Sequence, residues 1–90
     1  ADFYADWCGP CQALIPTLNI LAKELEGRAD IVKVNVDDHQ ELASRFGIRT
    51  IPTIIYFQNQ KIVDKTVGVQ TKAELDRRIV AMEGNKKLAD

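Results

Sequence analysis

Histidine occurs once and cysteine twice in these 90 residues, which leaves a structural zinc site short of ligands. Such sites use four Cys or His donors, and this chain offers a single Cys-x-x-Cys pair and His39. Neither sign of charge dominates. Twelve basic against thirteen acidic residues give a net charge of −1, with no basic cluster to track a phosphate backbone or an anionic membrane surface. Wholly apolar runs are only a few residues long, far below the ~20 that a spanning helix needs, and no signal-peptide pattern opens the sequence. Nucleic acid and membrane are therefore not the partners this composition suggests. Internal repeats and low-complexity tracts are also lacking. What remains, 46% hydrophobic and 28% charged residues, suits one small domain with a modest core and no room for a second.

Both cysteines fall in one motif, Trp7-Cys8-Gly9-Pro10-Cys11, after a strand-like start and directly before a helical pattern. Residues three apart share a helix face, so the two sulfurs can meet if the motif forms the first helical turn. Gly9 permits a tight turn and would leave the first sulfur uncovered, while Pro10 presets a helical φ where no intrahelical N–H is needed. Cys8 then lies at a helix N-terminus, where unpaired N–H groups and the helix dipole favour a thiolate. Cys11, one turn inside, suits the shielded resolving role. A purely structural disulfide is the plain alternative, but so short a ring constrains the unfolded chain little. A C-x-x-C beside a strand-helix-strand pattern reads as a redox pair.

The rest of the chain alternates strands and helices. Leu14, Leu18, Leu21 and Leu25 mark the buried face of a helix from about Cys8 to Leu25, kinked at Pro16 and ended by Gly27. Ile31 to Asp37 alternates in the manner of a strand. Asp38 and Glu41 have the spacing of a capping box for a short helix carrying Leu42 and Phe46, stopped by Gly47. Thr53 to Phe57 and Lys61 to Val67 read as a hairpin around Gln58-Asn59-Gln60, where Gln60 suits a type I′ turn poorly. Thr71 and Glu74 form a second capping-box pattern, before a last helix with Leu75, Ile79 and Met82 inward and Gly84 at its end. Together these predict an α/β fold with a mixed central sheet and helices on both sides.

Four collinear segments carry a family resemblance. The segment Asp2-Phe3-Tyr4-Ala5-Asp6-Trp7-Cys8-Gly9-Pro10-Cys11 resembles the active-site strand and motif of the thioredoxin family. Lys33-Val34-Asn35-Val36-Asp37 resembles its next strand, Phe46 to Thr53 its proline loop, and Val67-Gly68 the glycine near its substrate groove. The similarity runs from Ala1 to about Met82. It implies a thioredoxin-like fold over residues 1–84, with 85–90 as a polar tail. Relative to the family the chain is expected to be N-terminally incomplete, lacking a strand, a helix and half of the active-site strand. The bare sheet edge this would leave predicts a monomer that is less stable or self-associates.

The resemblance also assigns roles. It implies that Asp2, which composition alone would place at an exposed terminus, is buried with a raised pKa and accepts the Cys11 proton. It implies that Lys33, otherwise an ordinary solvated lysine, tunes Asp2. Ile51-Pro52 occupies the place of the family's cis proline, where strand-like pairing with an extended substrate is expected. Trp7, Ile51 and Gly68 are expected to form an apolar collar around the Cys8-Gly9-Pro10-Cys11 turn. Tyr4 stands where many family members have tryptophan, and Gln12 replaces a commonly basic residue. His39 receives no catalytic part. The implied activity is protein-disulfide reduction in the cytoplasm, with no bound cofactor and no metal. Disulfide-containing proteins are the implied substrates, and an NADPH-dependent thioredoxin reductase is the implied electron source. Three other readings stay open at this point: a disulfide oxidase or isomerase, a non-enzymatic binding subunit, and a redox-sensing switch.

Overall fold

The computed structural model describes residues 1–89, with side chains described through Gly84. The elements run β1 (Asp2–Tyr4), α1 (Gly9–Glu24), β2 (Lys33–Asn35), α2 (Gln40–Arg45), β3 (Thr53–Gln58), β4 (Lys61–Val67) and α3 (Lys72–Ala89). They build one four-stranded sheet in the order β2-β1-β3-β4. β1 and β2 are parallel, whereas β3 is antiparallel to both β1 and β4.

Alternation along β1 and β3 divides the core between the two sheet faces. Leu14, Leu18, Leu21 and Leu25 of α1 pack with Ile54, Tyr56 and Leu75, joined by Ile79 and Met82 of α3. On the opposite face, Phe3, Val34 and Ile55 pack under Leu42, Phe46 and Ile48. The expected mixed sheet with helices on both sides is the observed architecture.

Several local expectations need correction. The second strand is shorter than the alternating run from Ile31 to Asp37. The Asp2 N–H donates to the Val32 carbonyl at 2.8 Å, yet the paired register of β2 begins only at Lys33, and Val32 is exposed. A cavity of about 760 Å³ opens there, lined in part by Leu21, Leu25, Phe57 and Met82. Helix α1 runs through Pro16 without a break and ends at Glu24, three residues before Gly27, whose φ of +81° serves the following turn. Asp38 does not cap α2. Its N–H donates to Asn35 Oδ1 instead, His39 occupies the N-cap, and no side chain caps that helix. Thr71 does cap α3, accepting the Glu74 N–H at 3.1 Å, but the Glu74 carboxylate turns to Arg77 and Arg78 rather than back to Thr71. Helix α3 continues through Gly84 to Ala89, since Lys86, Lys87, Leu88 and Ala89 are good helix formers and outweigh one glycine. Asp90, the end of the expected tail, lies outside the described residues.

The hairpin turn is tighter than predicted. β3 extends to Gln58, and only Asn59 and Gln60 connect the strands, at φ +53° and +66°. Gln60 thus adopts the left-handed conformation that its side chain disfavours, because a two-residue connection between right-twisted strands requires it.

Candidate functional site

Helix α1 starts where the sheet delivers the chain. The N–H of Cys8 donates to the Ala5 carbonyl at 3.2 Å, closing a turn at the end of β1 that sets Cys8 as the N-cap of α1, with Pro10 in the first turn. The two cysteines are joined as a disulfide across Cα atoms 5.2 Å apart. The Cys11 N–H points at Cys8 Sγ from 3.2 Å, so a negative charge on that sulfur would meet a backbone donor as well as the positive end of the helix. No comparable donor points at Cys11 among the described residues.

Burial of Cys8 exceeds the expectation drawn from Gly9. Cys8 is 5% and Cys11 2% exposed, because Ala5 lies beneath the disulfide, with Tyr4, Val36 and Ile51 around it. A Cβ added at Gly9 would meet open space, so the chain between the sulfurs leaves the approach clear.

Ile51 closes the other flank. Its carbonyl oxygen lies 3.8 Å from Cys8 Sγ, and the Ile51-Pro52 peptide is cis, as the resemblance implied. The Pro52 carbonyl accepts the N–H of Gly68 at 2.8 Å, where a φ of +88° suits glycine alone. Cys8, Cys11, Ile51, Pro52 and Gly68 therefore belong to one constellation. Trp7 sits at its edge, 71% exposed, with its indole Nε1 donating to Asp37 Oδ2 at 2.8 Å. Sequence reading missed that partner, and nothing local could reveal a bond between residues thirty apart.

Asp2 is buried at 3% exposure rather than free at a terminus. It faces α1, on the side of β1 opposite Phe3. Burial pushes its pKa up, and the Lys33 ammonium and the chain's amino terminus offset this in part. One carboxylate oxygen, Oδ1, has no hydrogen-bond partner, an arrangement that favours the neutral acid. Lys33 stands opposite Asp2 in the parallel register. No ion pair joins the two among the described residues; the Lys33 ammonium lies 5.9 Å from the centre of the Tyr4 ring, within cation–π range. Gln12 is exposed and donates through Nε2 to the Asp6 carbonyl at 3.3 Å, bracing the loop before the motif. His39 is exposed. Among the described residues no cluster of His, Cys, Asp or Glu could hold a metal ion, and no helix is long and apolar enough to cross a membrane.

The family model for thioredoxin matches residues 1–81. The chain belongs to the thioredoxin family. Curated thioredoxins from Haemophilus influenzae and Staphylococcus aureus are each 46% identical to it over 74 residues, which is 82% of this chain and 69% and 71% of theirs. A solved variant of the Halobacterium salinarum thioredoxin superposes with a TM-score of 0.84 at 42% identity, covering 89% of this chain and 69% of that one. Fasciola hepatica thioredoxin gives 0.82 at 34% identity, covering 89% and 75%. With a Cys8-Cys11 disulfide in a thioredoxin fold, the protein is a thiol-disulfide oxidoreductase of the protein-disulfide reductase type.

Proposed function

We propose that Cys8 is the attacking thiol and Cys11 the resolving thiol in the reduction of protein disulfides. The observation that carries this assignment is the Cys11 N–H directed at Cys8 Sγ from the first turn of α1. A donor aimed at one sulfur lowers that sulfur's pKa selectively, and the thiolate is the nucleophile.

In the first step the Cys8 thiolate attacks one sulfur of a substrate disulfide. A bond forms between Cys8 and that sulfur, and the other substrate sulfur leaves as a thiolate that takes up a proton. In the second step Cys11 gives up its proton, attacks Cys8 Sγ and restores the Cys8-Cys11 disulfide, while the first substrate sulfur departs as a thiolate. The substrate gains two electrons and the protein loses two. Asp2 is the proton acceptor for Cys11 in this reading, directly or through water, because burial raises its pKa above the ordinary carboxylate value and so makes it a stronger base. Lys33 limits how far that pKa rises.

The groove formed by Trp7, Gly9, Pro10, Ile51, Pro52 and Gly68 takes an extended substrate segment, with the Ile51 backbone offering strand-like pairing beside the substrate's disulfide. Disulfide-containing proteins are the substrates. Electrons return from an NADPH-dependent thioredoxin reductase, and the cytoplasm, which keeps such dithiols reduced, is the compartment this cycle suits.

A Cys11→Ser variant tests the order of attack. It should accumulate a mixed disulfide between Cys8 and substrate, visible as a thiol-sensitive adduct by mass spectrometry, whereas Cys8→Ser should trap nothing. An adduct formed by Cys8→Ser through Cys11 would reverse the assignment.

A further inference from the structure

Lys33 is an exposed strand lysine, a residue that ordinarily spreads its ammonium through many rotamers in water. A cation so distributed would act on a buried carboxyl only weakly. Lys33 nevertheless bears on Asp2, although it forms no hydrogen bond or ion pair among the described residues. Something else must hold it. We propose that Tyr4 is a positioning residue for the resolving step, its ring face holding the Lys33 ammonium on the Asp2 side of the sheet. This rests on the reading that Asp2 takes the Cys11 proton.

Three side chains share one face of the sheet. Asp2 and Tyr4, two apart on β1, point the same way, and Lys33 of β2 stands opposite Asp2 in the parallel register. The Lys33 ammonium lies over the Tyr4 ring, 5.9 Å from its centre, where the negative face of the ring attracts a cation. The ring itself is anchored. Tyr4 packs against the cluster of Ala5, Cys8 and Cys11, and its carbonyl accepts the Val36 N–H at 2.8 Å. A fixed aromatic face thus restrains a side chain that burial does not. It also spares the ammonium the desolvation that a contact ion pair with a buried carboxylate would cost. The other groups around Asp2 cannot substitute for Lys33. The Ala1 amino terminus bears on Asp2 from its own strand, Ile54 stands opposite it in β3, and the buried face of α1, Cys11, Leu14, Leu18 and Leu21, carries no charge while the disulfide stands. Arg28 and Asp30 line the same cavity as Asp2, and Arg28 is paired with Glu83 at 2.6 Å. Tyr4 supplies no proton and touches no substrate in this account; it acts through Lys33.

The Asp2 carboxyl carbon can be followed by NMR in the disulfide form, where neither thiol titrates. Tyr4→Leu removes the ring face, and a cation–π contact at an exposed site favours the held position about two- to fivefold. The Asp2 titration should therefore move up by about 0.3 pH unit, twofold in proton affinity, in the same direction as in Lys33→Met. Tyr4→Phe keeps the ring and should titrate as the parent does. Pentafluorophenylalanine at the same position keeps the shape of phenylalanine but withdraws the negative charge from its face, so it should match Tyr4→Leu without loss of packing. With Lys33→Met already present, none of these changes should move the titration. The pH profile of mixed-disulfide resolution should follow the titration. An Asp2 titration unmoved by both Tyr4→Leu and the fluorinated ring would overturn the inference, as would a shift that persists in full without Lys33. If the titration moves as expected while the resolution profile stays where it was, the proton-acceptor reading of Asp2 falls and the placement of Lys33 by Tyr4 stands.

Discussion

Replacing Asp2 with asparagine should make the protein more stable and a poorer reductase at the same pH. The carboxyl is 3% exposed with one oxygen unpartnered. Leaving a buried polar group without a partner costs about 1–3 kcal/mol, and more when the group is charged. The Lys33 ammonium returns part of that cost. Asparagine keeps an unpartnered polar atom in that place and removes only the charge, so near pH 8, where the parent's carboxyl is ionised or must be kept protonated against the solvent, stability should rise by about 1.4 kcal/mol for each unit by which burial raises the carboxyl's pKa. For a domain of this size each kcal/mol moves Tm by about 4–8 °C. The sign of the pH dependence follows from the raised pKa. Above the ordinary value of 3.8 the unfolded chain releases the proton before the folded one does, so the folded state binds more protons and loses stability as pH rises. Once pH exceeds the folded-state pKa the penalty is complete, and below the ordinary value it vanishes. Urea unfolding of parent and Asp2→Asn across that range should show two curves that converge in acid and separate toward neutrality. Single-turnover resolution of the mixed disulfide should slow in the same variant at neutral pH. A stability difference that does not change with pH, or a parent more stable than the variant at about pH 8, would refute the buried, destabilised carboxylate. Unchanged resolution kinetics would refute its part in proton transfer.

Lys33→Met removes the charge that offsets the burial of Asp2, so the Asp2 pKa should climb further and the pH profile of resolution should move toward higher pH; an unaltered profile would end the proposed coupling. Gln60→Gly relieves a left-handed glutamine at φ +66°. The relief of about 1–2 kcal/mol is partly offset by the greater freedom of glycine in the unfolded chain, about 0.4–1 kcal/mol, leaving a gain of up to about 1.6 kcal/mol in thermal or urea unfolding. Gln60→Ala, which keeps a Cβ at that φ, should show no such gain, and equal gains in the two variants would place the effect outside the backbone.

What could be read from residues alone was set by short-range geometry. Two cysteines three apart at a helix start, glycine and proline between them, and a leucine stripe at helical spacing are consequences of 3.6 residues per turn, so the redox pair and α1 needed no tertiary information. The same holds for the alternation of strand and helix, which specifies a mixed sheet with helices on both sides. The family resemblance then supplied roles that composition could not, the burial of Asp2 above all.

Tertiary structure decided whatever depends on partners far apart in sequence. Val32 has the alternation of a strand residue yet is exposed and lies outside the paired register, which spans Lys33 to Asn35. Cys8 is more covered than its glycine neighbour suggests, because Ile51 arrives from the loop before β3. Asp38 has the spacing of a cap, yet its N–H is turned to the Asn35 side-chain oxygen and α2 starts one residue later with no side-chain cap. Trp7 finds Asp37 across thirty residues because the parallel pairing of β1 and β2 brings both strand ends to the same edge of the sheet, beside the disulfide, a juxtaposition that no local pattern encodes.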